Sequence, residues 1–293
     1  MTPDSDTPPP PPRGRPSSSA AAPSAEEKEA LPLAQNSRSR GEAERGGAII
    51  ASSESGSARE AGHPDTIGFR AVSFVVPALN EEANIVHAAA DVILAAIGLD
   101  DYEIIIVNDG STDRTAELAE ALTRKDPHIR VIHNARNLGF GGAYKVGIAN
   151  ARMPYVIMVP GDGNHPPAGI TPILERLGKA DIIVPYLSNP EIRGWKRRLI
   201  SDAYTILLNF LFGLRLPYYN GLVLHRTALL RTITIETNGY AYQSEALVKL
   251  IRRGASTATV AVPLAHRDHR TRAFKPKNMA RVGSTVWRLM WTR

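Results

Sequence analysis

From Val72 onward, short apolar runs alternate with stretches in which apolar residues recur every three or four positions. The runs predict strands at Val72–Val76, Glu103–Val107, Arg130–Ile132, Tyr155–Val159, Asp181–Val184 and Ala258–Val262. Between the early ones, helical spacing predicts helices near Glu81–Ile97, Asp113–Lys125 and Gly141–Ala151. Uninterrupted runs such as Ile104-Ile105-Ile106-Val107 offer no polar face to water, so both faces of those strands must be covered. Strand and helix in regular alternation predict βαβ units, hence an α/β fold with one mostly parallel sheet flanked by helices. In such sheets ligands sit beyond the carboxyl ends of the strands, and the residues just after each strand are the ones to read for chemistry.

Residues 1–66 show neither rhythm. They carry the run Pro8 to Pro12, then Ser, Ala, Gly, Arg and Glu, with no aromatic residue before Phe69. Too little apolar surface is present to offset the entropy of ordering, so a disordered arm is expected there, with no apolar leader in its first thirty residues. About 225 residues remain, enough for one well-buried domain. The chain has no cysteine, which excludes disulfides, thiolate nucleophiles and Cys-ligated zinc. No run reaches the ~18 apolar residues of a membrane span. The formal charge is +6, and from Arg267 to Arg293 eight Arg or Lys residues stand against the single acid Asp268. A basic end suits lipid headgroups or phosphates, and no nucleic-acid-binding motif accompanies it.

The first strand ends in Pro77-Ala78-Leu79-Asn80-Glu81-Glu82, where Asn80 is placed to cap the next helix. The second ends in Asn108-Asp109-Gly110-Ser111-Thr112-Asp113. Gly110 permits the turn and Ser111 or Asp113 starts a helix, which leaves Asp109 over as an acceptor for a base or ribose. After the third strand, Arg136-Asn137-Leu138-Gly139-Phe140-Gly141-Gly142-Ala143 is a Gly-rich turn into a helix. It lacks the G-x-G-x-x-G spacing of a dinucleotide loop and instead brings Arg136 towards ligand phosphates. The fourth strand ends in Pro160-Gly161-Asp162-Gly163-Asn164-His165-Pro166-Pro167. Asp162 and Asn164 there offer two hard oxygen ligands, which suits Mg²⁺ or Mn²⁺ bridging a diphosphate.

Together these pieces resemble the family 2 glycosyltransferases, and within them the polyprenol-phosphate (dolichol-phosphate) sugar synthases. The family's P-x-x-N-E stands at Pro77 to Glu81, its D-D-G-S at Asn108 to Ser111, its R-N-x-G-x-G-x-A at Arg136 to Ala143, and its H-P-P at His165 to Pro167. The resemblance covers about 200 residues, from Val72 into the Arg267 region. It implies a GT-A fold over 67–275, a nucleotide-sugar donor linked through GDP or UDP, and a divalent cation. Pro77, Leu79, Glu81, Val107, Asp109 and Arg136 would line the donor, and Asp162 with Asn164 would hold the metal. Glu245 matches a family acid on a helix near the donor. Arg267, Arg270, Arg272, Lys275 and Lys277 stand roughly where the family has a basic loop over the phosphates. Asp162, Glu245 and Arg267 are thus the expected catalytic residues. Two departures stand out: Pro160 replaces the first acid of D-x-D, and Pro217-Tyr218-Tyr219-Asn220-Gly221-Leu222 lacks the acid of D-x-x-S-G-[FY].

Two further stretches bear on the acceptor. After Trp195-Lys196-Arg197-Arg198, the residues Leu199, Ile200, Tyr204, Leu207, Leu208 and Leu211 recur at helical spacing. That is the pattern of a core-facing helix, although in the resembling enzymes helices here lie on the membrane interface. Residues 276–293 form a basic amphipathic segment with Trp287 and Trp291 among arginines, the composition of an interfacial helix. A lipid-phosphate acceptor and peripheral attachment to the cytoplasmic membrane face are therefore expected. Such an acceptor is already anionic and needs no base, and displacement would be inverting. A saccharide hydroxyl acceptor would instead require a carboxylate, with Glu245 or Asp162 as candidates. A nucleotidyltransferase should carry a Gly-rich, Lys-containing loop after the first strand, and Ala78-Leu79-Asn80-Glu81 is not one. A non-catalytic nucleotide-sugar-binding relative remains a rival because of Pro160.

Overall fold

A computed structural model describes residues 69–263 and 276–291, the latter with side chains from Asn278 onward. The arm expected over 1–66 lies outside the described residues, as do Arg267, Arg270, Arg272, Lys275 and the side chain of Lys277. Seven strands form one sheet: β1 (Ala71–Ala78), β2 (Asp101–Asn108), β3 (Ile129–His133), β4 (Tyr155–Met158), β5 (Ile182–Leu187), β6 (Leu224–Arg226) and β7 (Thr257–Val262). Their spatial order is β3-β2-β1-β4-β6-β5-β7. All neighbours are parallel except β6, which runs antiparallel to both β4 and β5. Two reversals cancel, so β5 and β7 again point the same way as β1.

Every residue of β1 is buried, because the sheet separates two cores. Val72, Phe74, Val76 and Ala78 face one side, against α1 (Ile85–Ala96), α2 (Thr115–Thr123) and α4 (Pro167–Leu174). Val75 faces the other, with α3 (Phe140–Asn150), α5 (Trp195–Phe212) and α7 (Tyr242–Arg252). Alternate side chains of one strand point to opposite faces, which is why an unbroken apolar run serves both cores. A short α6 (Thr227–Leu230) follows β6, and α8 (Pro276–Trp291) sends Val286 and Leu289 into the same core as α7.

The six expected strands are present. Missing from the sequence reading were β6, α4 and α6. A strand of three residues cannot display a period, and its antiparallel direction is not encoded locally. β1 also runs through Pro77, which fits because the β1–β4 ladder ends at the Val75–Met158 pair.

Candidate active site

Two carbonyls of β1 pin the loops on either side of it. The Asp109 N–H donates to the Ala78 carbonyl (2.9 Å), and the Gly161 N–H donates to the Pro77 carbonyl (3.0 Å). Asp109 and Asp162 therefore share one edge of the sheet, on the strands flanking β1, roughly 10 Å apart at ordinary strand spacing. The ends of β5 and β7 reach the same edge, as does the start of β6. That edge thus carries residues 188–194, residues 217–222 and the end of β7 at Val262.

The turns after β1 and β2 are laced together. Asn80, at φ +56°, donates its N–H to Ser111 Oγ (3.0 Å) and accepts the Thr112 N–H (2.9 Å). Glu81 N–H donates to Thr115 Oγ1 (2.7 Å), Glu82 N–H to Asp113 Oδ2 (3.1 Å), and Arg114 N–H to Glu82 Oε2 (3.0 Å). Asn80 is therefore not the helix cap expected from sequence; α1 begins five residues later, at Ile85, and Asn80 ties one loop to the next. Leu79 and Glu81 sit half-buried in this lacework, Pro77 is buried, and the side chain of Val107 lies wholly in the core, so only its backbone can meet a ligand.

Asp109 is not left over, as the sequence reading had it. Only 4% exposed, it accepts Asn134 Nδ2 (2.8 Å), the Leu138 N–H (2.9 Å) and the Gly139 N–H (2.9 Å), and so holds the loop after β3. Gly110, at φ +75°, is required there twice over. Its backbone is left-handed, and a Cβ would stand 2.9 Å from the Asn137 nitrogen. Arg136, in the same loop, is exposed and available to a ligand.

In the turn after β4, Asp162 Oδ1 accepts the Asn164 N–H (3.1 Å), and among the described residues its second oxygen has no hydrogen-bond partner. No group of three or more His, Asp or Glu residues with metal-binding geometry occurs among the described residues. One half-buried carboxylate with a free oxygen fits a cation that draws most ligands from substrate phosphate and water, as Mg²⁺ and Mn²⁺ do.

Glu245, in the first turn of α7, is fully engaged by its own neighbours. Fully buried on α7, it accepts the Glu236 N–H (2.9 Å), the Thr237 N–H (3.0 Å) and Lys249 Nζ (2.7 Å). Burial alone would raise its pKa, but Lys249 and the two N–H groups outweigh it and hold the carboxyl below the usual range. Such a group is a poor proton acceptor.

Sequence reasoning passed over Arg193. It follows β5 at the ligand edge, donates to the Tyr218 hydroxyl (2.8 Å), and has a buried Nε without a hydrogen-bond partner among the described residues. Burial, then the like charge of Arg193, lowers the pKa of Arg197 one turn on. Two guanidiniums in a partly buried place repel each other unless an anion joins them. A basic cluster in the loop that follows a strand, at Arg193-Gly194-Trp195-Lys196-Arg197, was the available signal.

The core-facing reading of α5 holds only in part. Leu208 is buried and Tyr204 and Leu211 pack half-buried, but Leu199, Ile200 and Leu207 are exposed. Opposite the buried face, Trp195, Leu199, Ala203, Ile206 and Phe210 form a single outward stripe, with Phe210 84% exposed. The outer side of α8 adds Met279, Trp287, Met290 and Trp291. No described helix is long and apolar enough to cross a membrane.

Residues 73–233 match the protein family described as Glycosyl transferase family 2. The chain is 28% identical over 177 residues to an undecaprenyl-phosphate mannosyltransferase of Micrococcus luteus, covering 57% of this chain and 73% of that protein. It is 27% identical over 213 residues to a polyprenol monophosphomannose synthase of Mycolicibacterium smegmatis, covering 66% and 77%. Among solved structures its fold is similar to that of glucosyl-3-phosphoglycerate synthase from Mycobacterium tuberculosis in complex with UDP. There the TM-score is 0.59 and the identity 21%, over 76% of this chain and 81% of the other. The same enzyme with Mn²⁺, UDP and phosphoglyceric acid aligns at a TM-score of 0.60 and 22% identity, over 76% and 80%.

Proposed function

The chain belongs to the family 2 glycosyltransferases, with their GT-A fold, and from that membership we propose that it moves a hexose from a GDP- or UDP-linked donor to a polyprenol phosphate at a membrane surface. The observation that carries the donor half is the pinning of Asp109 and Gly161 to adjacent carbonyls of β1, which gathers the strand-end loops into one place. The similar mannosyltransferases named for polyprenol carriers support the acceptor half.

In this reading Asp162, with Asn164, would hold Mg²⁺ or Mn²⁺, which would supply positive charge against the donor diphosphate. Pro77, Leu79 and Glu81 line the nucleoside, and Asp109 fixes the loop that presents Arg136 to the diphosphate. Arg267, from the chain beyond β7, adds a second cation as the diphosphate departs. Arg193 and Arg197 take the acceptor phosphate, whose charge relieves their mutual repulsion. A phosphomonoester has a second pKa of about 6, so its oxygen is ready to attack without a base. Catalysis then rests on alignment and charge neutralisation, and one displacement inverts the anomeric carbon. A saccharide hydroxyl would need a carboxylate to accept its proton, and Glu245 is committed elsewhere. In this reading the outward stripes of α5 and α8 rest on the membrane, and attachment is peripheral and on the cytoplasmic face.

Incubation with radiolabelled GDP-mannose or UDP-glucose, Mn²⁺ and polyprenol phosphate tests the proposal, with 3-phosphoglycerate as a parallel acceptor. Label should move to the organic phase with one donor. Label on phosphoglycerate alone would remove the lipid acceptor, and label on neither would remove the transfer.

A further inference from the structure

The segment between α6 and α7 is gripped from three helices. Lys145 on α3 donates to the carbonyls of Ile235 (3.1 Å) and Glu236 (3.4 Å), and Lys249 on α7 donates to that of Thr234 (2.8 Å). Glu245 takes the N–H groups of Glu236 and Thr237. The Glu236 carboxylate pairs with Lys249 (3.2 Å) and with Arg288 of α8 (2.8 Å), and Arg288 also lies 3.6 Å from Glu245. A carboxylate as buried as Glu245 persists only while its charge is compensated.

The far end of this segment touches the donor loop. The Asn238 carbonyl accepts the Gly141 N–H (2.9 Å) in the first turn of α3. The same oxygen would stand 2.8 Å from a Cβ at Gly139, whose φ of +83° already demands glycine. Gly139 is one of the two residues whose N–H groups Asp109 holds. Contacts therefore run without a gap from Arg288 through Glu236 and Asn238 to Gly139, and on to Asp109.

We infer that Arg288 is a positioning residue for the donor. By fixing residues 236–238, the last described helix holds the 136–141 loop in the conformation that presents Arg136. The inference rests on the reading of that loop as the diphosphate site, and it assigns α8 a part in donor binding that its outer apolar face does not suggest. The closeness of the contacts argues for transmission. The Asn238 carbonyl lies where a Cβ at Gly139 would clash and holds the Gly141 N–H at 2.9 Å, so a shift of residues 236–238 is passed to the loop through that bond.

The test is a calorimetric titration of UDP and of GDP, each with Mn²⁺, into the full chain and its R288A, R288K and E236Q variants. R288A should weaken nucleotide binding roughly five- to tenfold, at the lower end of usual coupling strengths. E236Q should weaken it in the same direction, and R288K should recover most of the loss. In turnover the donor KM should rise while the acceptor KM stays unchanged. Should R288A fail to fold, E236Q carries the test, because Glu236 is partly exposed and the change is isosteric. Variants that melt earlier yet bind nucleotide with the wild-type constant would overturn the inference and leave the donor site standing. Absence of binding by the wild type would overturn both.

Discussion

Asp109 holds Gly139: its carboxylate accepts the Gly139 N–H at 2.9 Å and that of the neighbouring Leu138 at the same distance, so the turns after β2 and β3 behave as one piece. Asp109→Asn would turn an amide donor towards backbone donors. The Gly139 N–H would keep Asn137 Oδ1 (2.8 Å), so the cost is that of one weakened hydrogen bond, about 1 kcal/mol in stability. Donor affinity should fall with it, which chemical denaturation and nucleotide titration on the same samples would check.

Pro160 stands where the family carries the first acid of D-x-D. Pro160→Asp would bring a second carboxylate to the turn that holds Asp162. The Mn²⁺ concentration for half-maximal turnover should fall, by roughly tenfold if the new acid gains a charge-assisted contact of about 1.4 kcal/mol. An unchanged Mn²⁺ midpoint would mean that the cation does not sit at this turn.

In the proposed reaction Arg193 and Arg197 meet the acceptor and not the donor. Arg197→Ala should raise the KM for polyprenol phosphate by an order of magnitude or more, as loss of a charged hydrogen bond of ~1.5–3 kcal/mol implies, with the donor KM held. Arg197→Lys should recover only part, because an ammonium cannot grip phosphate bidentately. Initial-rate kinetics with each substrate varied in turn would show the split.

His225 sets part of the acid sensitivity. It is fully buried on β6, its Nδ1 has no hydrogen-bond partner among the described residues, and its Nε2 faces the Gln243 amide at 3.2 Å. Burial depresses its pKa to about 3. An unfolded histidine protonates near 6.5, so the contribution is complete above about pH 6.5 and is lost as pH falls towards 3, by up to ~1.4 kcal/mol per unit. His225→Leu should flatten the fall in melting temperature between those limits, whatever its effect at neutral pH.

The outer stripe of α5 should report on lipid. Phe210→Asp or Ile206→Asp changes exposed positions, so stability should move by less than ~0.5 kcal/mol, while co-sedimentation with anionic vesicles drops. Equal sedimentation of the wild type and both variants would remove α5 from any membrane contact.

The sheet and its ligand edge were legible because apolar runs such as Ile104 to Val107 cannot stand in water on either face, and because strand ends collect turn residues. What the sequence did not reveal were partnerships made over distance. Asp109 reads as a spare acid until Leu138 and Gly139 arrive from about thirty residues away. Glu245 reads as a helix-face acid until residues 236 and 237 fold back on it. On α5 the helical spacing is legible, but period alone cannot say which residues meet the core: Leu208 is buried, while Leu199, Ile200 and Leu207 are exposed along with Trp195, Ile206 and Phe210. Arg193 was overlooked because its meaning depends on β5 ending at the same edge as β1, a consequence of the two reversals around β6.

The central claim is that the loops after β1, β2 and β4 form one pocket for a diphosphate and a cation. Titrating UDP and GDP into wild type and Asp162→Asn, with and without Mn²⁺, tests it most directly. One nucleotide should bind the wild type only when Mn²⁺ is present, and Asp162→Asn should lose that binding while melting at the wild-type temperature. Metal-dependent binding that survives intact in Asp162→Asn, or no binding of either nucleotide to the wild type, would contradict the account.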